Sequence, residues 1–248
     1  MTDLLHRLRS RRIGLALSGG SVRGLAHIGI IKALADAGIR PSVIVGTSAG
    51  SLIGAALAAG MRWEQIREMA RSVFWPSLLT RDGLERFCSR HLPATFHDLK
   101  TPFAAVATAL PHKVPLVIDE GPLASALSAS CAMRVVRRSV TRSGHRLKDG
   151  GISCVLPTVA CRDLGAELVI ASDVWELSSA LRSLGLDPTH PRTRRAYPKQ
   201  FQAALRDTDV LIQPEIPAAG YLPGSKAVDL MIEAGERAAR HALSLFIA

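Results

Sequence analysis

The chain has 248 residues, a formal net charge of +10, and 48% hydrophobic but only 4% aromatic residues. That length suits one α/β domain, and the core must be aliphatic, built from Ala, Leu, Ile and Val. No run of about eighteen apolar residues occurs, which excludes a membrane-spanning helix, and the positive balance favours an anionic partner without choosing between nucleic acid and phospholipid.

In chain order, residues 1–12 are basic with no apolar h-region, so they read as an N-terminal extension rather than a secretory signal. The domain is expected over 13–248. A short apolar run at 13–17 predicts a strand that ends in Ser18-Gly19-Gly20. Residues 25–37 carry Leu25, Ile28, Ile31 and Leu34 at helical spacing, with Gly38 as the stop. A second strand at 42–45 runs into Gly46, and a small-residue helix at 51–59 ends at Gly60. Strand, glycine turn, helix, repeated, predicts a parallel sheet with crossover helices.

Further on, 63–90 is amphipathic and reads as two helices broken near Trp75-Pro76. Residues 103–110 and 114–118 read as paired strands around a Pro-His turn, and 123–130 as a short helix. Buried strands are expected at 168–172 and 210–212, and a covering helix at 227–246. Residues 175–205 break the rhythm: polar, proline-bearing, basic and weakly periodic, they suit a lid, a lipid-facing segment or a surface excursion. Cys88, Cys131, Cys154 and Cys161 lack metal or redox spacing and read as reduced thiols of a cytoplasmic protein. No metal site and no cofactor are expected.

Gly46-Thr47-Ser48-Ala49-Gly50 is a G-x-S-x-G pentapeptide between a predicted strand and helix. That spacing suits a nucleophile on a strained turn, because side chains two residues either side would collide with the neighbouring backbone. Gly19-Gly20-Ser21-Val22-Arg23-Gly24 is a second glycine-rich loop in the same setting, able to cradle a phosphate, a dinucleotide or an oxyanion. It has neither the Gly-Lys-Ser/Thr of a P-loop nor the G-x-G-x-x-G spacing, and both loops open at the C-terminal edge of a parallel sheet. Asp149-Gly150-Gly151 places an acid on a tight turn. Of the later histidines (His91, His97, His112, His145, His190, His241), His241 lies on the terminal helix and His190 in the polar stretch, neither in a strand-end loop, and each reads as a surface histidine rather than a base.

Together these three motifs resemble the patatin-like phospholipases, particularly their short bacterial members. The likeness runs from about Ile13 to the C-terminus and extends to Gly24–Gly29, Thr95–Leu99, Gly165-Ala166, Pro214 and Glu233-Ala234-Gly235. It implies a three-layer α/β/α fold with a central, mostly parallel sheet. It also implies a catalytic dyad with Ser48 as nucleophile and Asp149 as base. An oxyanion hole would form from the amides around Gly19, Gly20 and Ser21, with Arg23 supporting the loop or the charge, and Gly24, Gly46, Gly50, Gly150 and Gly151 would be motif glycines. His27 would serve helix packing or a supporting contact. Four positions depart from the family: Ser21 replaces a third glycine, Arg134 replaces a proline, and Cys154 and Val155 replace asparagines.

The implied function is a serine lipid acyl hydrolase with an acyl-enzyme intermediate. Its alternatives are a carboxylesterase or polyester depolymerase on soluble acyl groups, and a non-catalytic lipid- or anion-binding module. The expected partner is a lipid or acyl ester, with peripheral contact to an anionic membrane surface through Arg134, Arg137, Arg138, Arg142, Arg146 and Lys148; no nucleic acid is expected.

Overall fold

The computed structural model describes residues 11–73, 75–78, 80, 82–132, 139–175, 180, 197–216 and 223–247. Most of the basic extension at 1–12 therefore lies outside the described residues.

Among the described residues eight strands form one sheet: β1 (Ile13–Leu17), β2 (Val43–Thr47), β3 (Phe103–Leu110), β4 (Val114–Ile118), β5 (Val140–Arg142), β6 (His145–Asp149), β7 (Leu168–Ser172) and β8 (Val210–Ile212). The helices are α1 (Ala26–Asp36), α2 (Ala49–Ala58), α3 (Trp63–Ser72), α4 (Trp75–Leu78), α5 (Gly83–His91), α6 (Leu123–Ser130), α7 (Thr158–Asp163), α8 (Lys199–Arg206) and α9 (Ser225–Ile247). Parallel pairing links β3, β2, β1, β7 and β8 in that spatial order, while β4 and β6 are antiparallel to β3, and β5 to β6.

The central strands are apolar on both faces because both are covered. Ile13, Leu15, Leu17, Ile44, Phe103, Leu168 and Ile170 point into the core shared with α1, α2, α3, α5, α6 and α9. Their neighbours Ala16, Val43, Val45, Ala104, Val106, Val169 and Ala171 point the other way, against α7 and α8. The result is a three-layer α/β/α architecture around a mixed, largely parallel sheet. α1 and α9 approach closely through reciprocal glycines. A Cβ on Gly29 would run into the Ile232 carbonyl, and one on Gly235 into the Ala26 carbonyl.

The pairing of β3 explains how the site is assembled. Its Phe103–Val106 pair with Ile44–Thr47 of β2, and its Ala107–Leu110 with Asp149–Arg146 of β6. β4 overlaps both stretches of β3, so it occupies the opposite edge. β2 and β6 therefore share one edge of β3 and meet end to end. The last residue of β2 lies beside the last residue of β6, whose sequence positions are about a hundred apart.

Several expectations need adjusting. The strand expected at 42–45 continues through Gly46 to Thr47, since parallel pairing with β1 and β3 extends to the turn. The helix expected from 25 begins as a tighter 3-10 turn at Ser21–Leu25. The 63–90 region holds three helices, with residues 74, 79 and 81 outside the described set. β5 and β6 had no counterpart in the strand reading. Much of 175–205 lies outside the described residues, but 199–205 falls in α8, and Tyr197, Phe201, Ala204 and Leu205 are buried against the sheet. Trp175, Tyr197 and Phe201 pack as an aromatic cluster there.

Candidate active site

Ser48 follows directly on β2 and adopts φ 51°, ψ −121°, in the left-handed half of backbone space that a side chain resists. Such a conformation costs on the order of 1–3 kcal/mol and persists only when its surroundings enforce it. Here they do. A Cβ on Gly46 would strike the Gly50 carbonyl, and one on Gly50 would strike the carbonyls of Leu17 and Ser18. Ser48 N–H donates to Ser130 Oγ at 2.9 Å, and Ser130 Oγ–H donates on to the Val106 carbonyl at 2.6 Å. Ser51 Oγ donates to the Ser48 carbonyl at 2.6 Å. Ser130 and Ser51 were not singled out in the sequence, because nothing local marks a serine that bonds 82 positions away.

The Ser48 hydroxyl donates to Asp149 Oδ2 at 2.8 Å, and Asp149 Oδ1 accepts from Gly151 N–H at 2.8 Å. Both residues are 8% exposed. Burial pushes the Asp149 carboxyl above its ordinary range, with the hydrogen bonds from Ser48 and Gly151 pulling in the opposite direction. Gly150 has to be glycine because a Cβ would meet the Val106 carbonyl. The Asp149 backbone is held as well: its N–H donates to the Ala132 carbonyl at 3.0 Å, and its carbonyl accepts from Thr108 Oγ1 at 2.8 Å.

The glycine-rich loop leaves β1 and passes beside the elbow. Gly19 N–H donates to the Val155 carbonyl at 3.0 Å, so this amide, expected to face an oxyanion, is engaged in holding the turn. Among the described residues, the N–H groups of Gly20, Ser21 and Val22 make no hydrogen bond within the protein, nor does that of Ala49 at the start of α2. Gly20 packs its α-carbon so close to Val174 that a Cβ would lie 2.7 Å from Cγ2, and a Cβ on Gly24 would lie 2.6 Å from that of Ala49. The Arg23 guanidinium donates from Nε to the Val174 carbonyl at 3.0 Å, which ties the loop to the segment after β7. Ser21 takes φ 53°. The third glycine of the family pattern is thus replaced by a residue held in a conformation that glycine adopts freely.

Two other departures meet the site through their backbone carbonyls. Thr47 Oγ1 donates to the Cys154 carbonyl at 2.9 Å, and the Val155 carbonyl receives Gly19 N–H. Any side chain at 154 and 155 can supply a carbonyl, which explains how the site keeps its shape without asparagines. Burial raises the Cys154 thiol to about 11, so it stays protonated. Arg134 lies outside the described residues.

His27 is wholly buried behind the loop. Its Nε2 lies 3.0 Å from the Ser18 carbonyl and its Nδ1 2.6 Å from Ser172 Oγ. A carbonyl only accepts, so Nε2 carries the proton and Nδ1 accepts from the Ser172 hydroxyl. Ser18 Oγ in turn accepts from Val174 N–H at 2.8 Å. One imidazole thus links the ends of β1 and β7 at the root of the glycine loop. Among the described residues no histidine bonds to Ser48 or Asp149, and His190 lies outside them.

The site is thus a strained serine at the rim of a mixed α/β/α sheet, bonded to a buried carboxyl group and flanked by amides without partners among the described residues. The chain belongs to the patatin-like phospholipase family, which matches residues 15–161. It is 34% identical over 199 residues to human patatin-like phospholipase domain-containing protein 6, covering 69% of this chain and 14% of that protein. It is also 34% identical over 176 residues to an uncharacterized NTE family protein of Mycobacterium tuberculosis, covering 65% of this chain and 49% of that one. The chain thus spans half or less of the length of these relatives. The crystal structure of VipD from Legionella pneumophila shares the fold, with a TM-score of 0.60 at 14% identity over 95% of this chain and 67% of that one.

Two outcomes are expected. Ser21→Gly should raise stability by roughly 0.5–1 kcal/mol in denaturant unfolding, because relief of a left-handed residue, ~1–2 kcal/mol, exceeds the added freedom of the unfolded chain. His27 is held near pKa 4 by burial, against an ordinary 6.5, with the Ser18 bond opposing. The unfolded state binds its proton first, so stability should fall as pH drops from 6.5 towards 4. Urea unfolding across that window should show a flatter profile for His27→Gln.

Proposed function

We propose that the chain is a serine acyl hydrolase of lipid esters, working through Ser48 and Asp149 without a histidine. The observation that carries this is the 2.8 Å hydrogen bond from an elbow serine to a buried carboxylate, beside amides with no partner of their own. In the reaction, Ser48 Oγ attacks the ester carbonyl carbon and its proton passes to Asp149. The tetrahedral oxyanion is received by the N–H groups of Gly20 and Ser21, with Ala49 N–H as a third donor, while Gly19 and Arg23 hold the loop in place. Collapse expels the alcohol, which takes the proton, and leaves an acyl-serine. Water then attacks that ester and passes a proton to Asp149, which returns it to Ser48 Oγ as the bond to serine breaks and the fatty acid leaves.

An aspartate is a weak base for an alcohol, and two features offset this. Burial raises its basicity, and each oxyanion donor in such a site is worth roughly 3 kcal/mol of barrier. A binding-only module would have no use for a strained serine aimed at a carboxylate. The basic balance of the chain fits an anionic lipid interface, and its four free cysteines fit a reducing, cytoplasmic setting. No helix among the described residues is long and apolar enough to cross a membrane.

Ser48→Ala and Asp149→Asn are each expected to lower kcat on a soluble acyl ester by about 10³-fold or more. Wild-type activity should fall with acid through a pKa above that of an ordinary aspartate, since protonated Asp149 accepts nothing, and should show no inflection from an imidazole. Asp149→Asn should keep or raise the melting temperature at neutral pH. A carboxyl with a raised folded pKa loses stabilisation as pH rises through that value, and the amide escapes the loss. Near-normal turnover by a folded Asp149→Asn protein rules the dyad out.

A further inference from the structure

The pairing that brings Asp149 to Ser48 has a second consequence. β3 runs four residues beyond its pairing with β2, and β4, β6 and β5 follow it. At about 3.3 Å per residue, this antiparallel flap reaches roughly 13 Å past the ends of the parallel strands, on the edge where Ser48 sits. Its two turns, at 111–113 and 143–144, lie at the far end.

The surface of this flap combines exposed cations with bare apolar side chains. Residues 101–118 and 139–148 contain Lys113, Arg142, Arg146 and Lys148, with His112 and His145, and no Asp or Glu. The Arg142 guanidinium is held by the carbonyls of Glu120 and Pro122, which neutralise none of its charge. Lys113 and Arg146 are exposed and make no ion pair among the described residues. Alongside these cations sit bare apolar side chains: Val117 is 40% exposed and Pro115 on the same face is exposed too, while Val114, opposite Ala109, is bare on the other face. Residues directly opposite in antiparallel strands share a face. The registers Val106↔Val117, Thr108↔Pro115, Thr108↔Lys148 and Leu110↔Arg146 therefore put Val117, Pro115 and Leu110 on one face with Lys148 and Arg146. The same row continues through Val106 to Thr47, so Val117 lies two strand spacings, roughly 10 Å, from the residue preceding Ser48.

We propose that this flap, β4 with the β3–β4 turn and the face of β6 that carries Arg146, docks the protein on an anionic phospholipid membrane, Pro115 and Val117 entering the interface while Lys113 and Arg146 hold the headgroups. The proposal rests on the acyl-hydrolase reading, since a lipid ester is what a membrane would deliver to the adjacent edge. Two features favour lipid over other occupants. Pro115 has no N–H to offer an added strand, so β4's outer edge is blocked against a peptide or a second copy of the chain. The flap also exposes no Phe, Tyr or Trp on which nucleic-acid bases would stack, its one such residue, Phe103, being buried.

The test is co-sedimentation of the full chain with vesicles of phosphatidylcholine alone or mixed with phosphatidylglycerol, at low and high salt. Wild type should bind the anionic vesicles, weakly at high salt. A basic side chain near such a surface is worth ~1 kcal/mol, about fivefold, so Lys113→Gln with Arg146→Gln should weaken binding by about 25-fold. Pro115→Ser with Val117→Ser should weaken it in both salts, and neither pair should change turnover of a soluble ester. Ser48→Ala should bind vesicles as wild type does, which separates failure of docking from failure of the hydrolase reading. Undiminished binding by both folded double variants, or equal binding to neutral and anionic vesicles, overturns the proposal. So does a preference for a single-stranded oligonucleotide.

Discussion

The arrangement depends on one feature of strand pairing: β3 is long enough to give the same edge first to β2 and then to β6. Because these two strands run towards each other, their ends are brought together by backbone hydrogen bonds rather than by side chains. The turn that strains Ser48 and the turn that carries Asp149 are thereby fixed to a common ruler, Val106 and Ala107 of β3. The 2.8 Å contact between hydroxyl and carboxylate follows from register. Most of the surrounding glycines are then compulsory, since Gly46, Gly50 and Gly150 each face a carbonyl that leaves no room for a Cβ.

The polar network around this junction is built to hold backbone. Ser130 links the elbow to β3, Thr108 links the acid's carbonyl to Ser153, and His27 joins Ser18 to Ser172 behind the glycine loop. Every one of these side chains is buried, so each hydrogen bond lost would leave an unpaired group away from water. The energy stored in two left-handed serines, Ser21 and Ser48, is sustained by this framework. A site held this rigidly suits amides that must already point at charge before it appears, which is what oxyanion stabilisation demands.

How much of this could be read from the amino acids follows from where the signals lie. The parallel strands and their crossover helices were legible because burial on both faces produces unbroken apolar runs such as Ile13–Leu17 and Leu168–Ser172. The G-x-S-x-G turn was legible because its spacing is local. β6 was not, since only Leu147 among His145–Asp149 is apolar and buried before the acid itself, and its partner strand is edge-exposed. Without β6, the sequence offered no geometric reason for Asp149 to meet Ser48, and the family resemblance supplied that link. The holding roles of Ser130, Ser172 and the carbonyls of Cys154 and Val155 are long-range and leave no local pattern. Residues 199–205 read as part of a lid, a lipid-facing segment or a surface excursion because a basic, proline-led segment concealed the spacing of Phe201, Ala204 and Leu205.

The most direct measurement is covalent labelling with a fluorophosphonate, followed by peptide mapping and by the labelling rate in Asp149→Asn. A serine activated by a neighbouring carboxylate is expected to give one adduct, on the peptide containing Ser48, forming far more slowly once Asp149 is an amide. An adduct elsewhere, or an equal rate in Asp149→Asn, would contradict the Ser48–Asp149 mechanism.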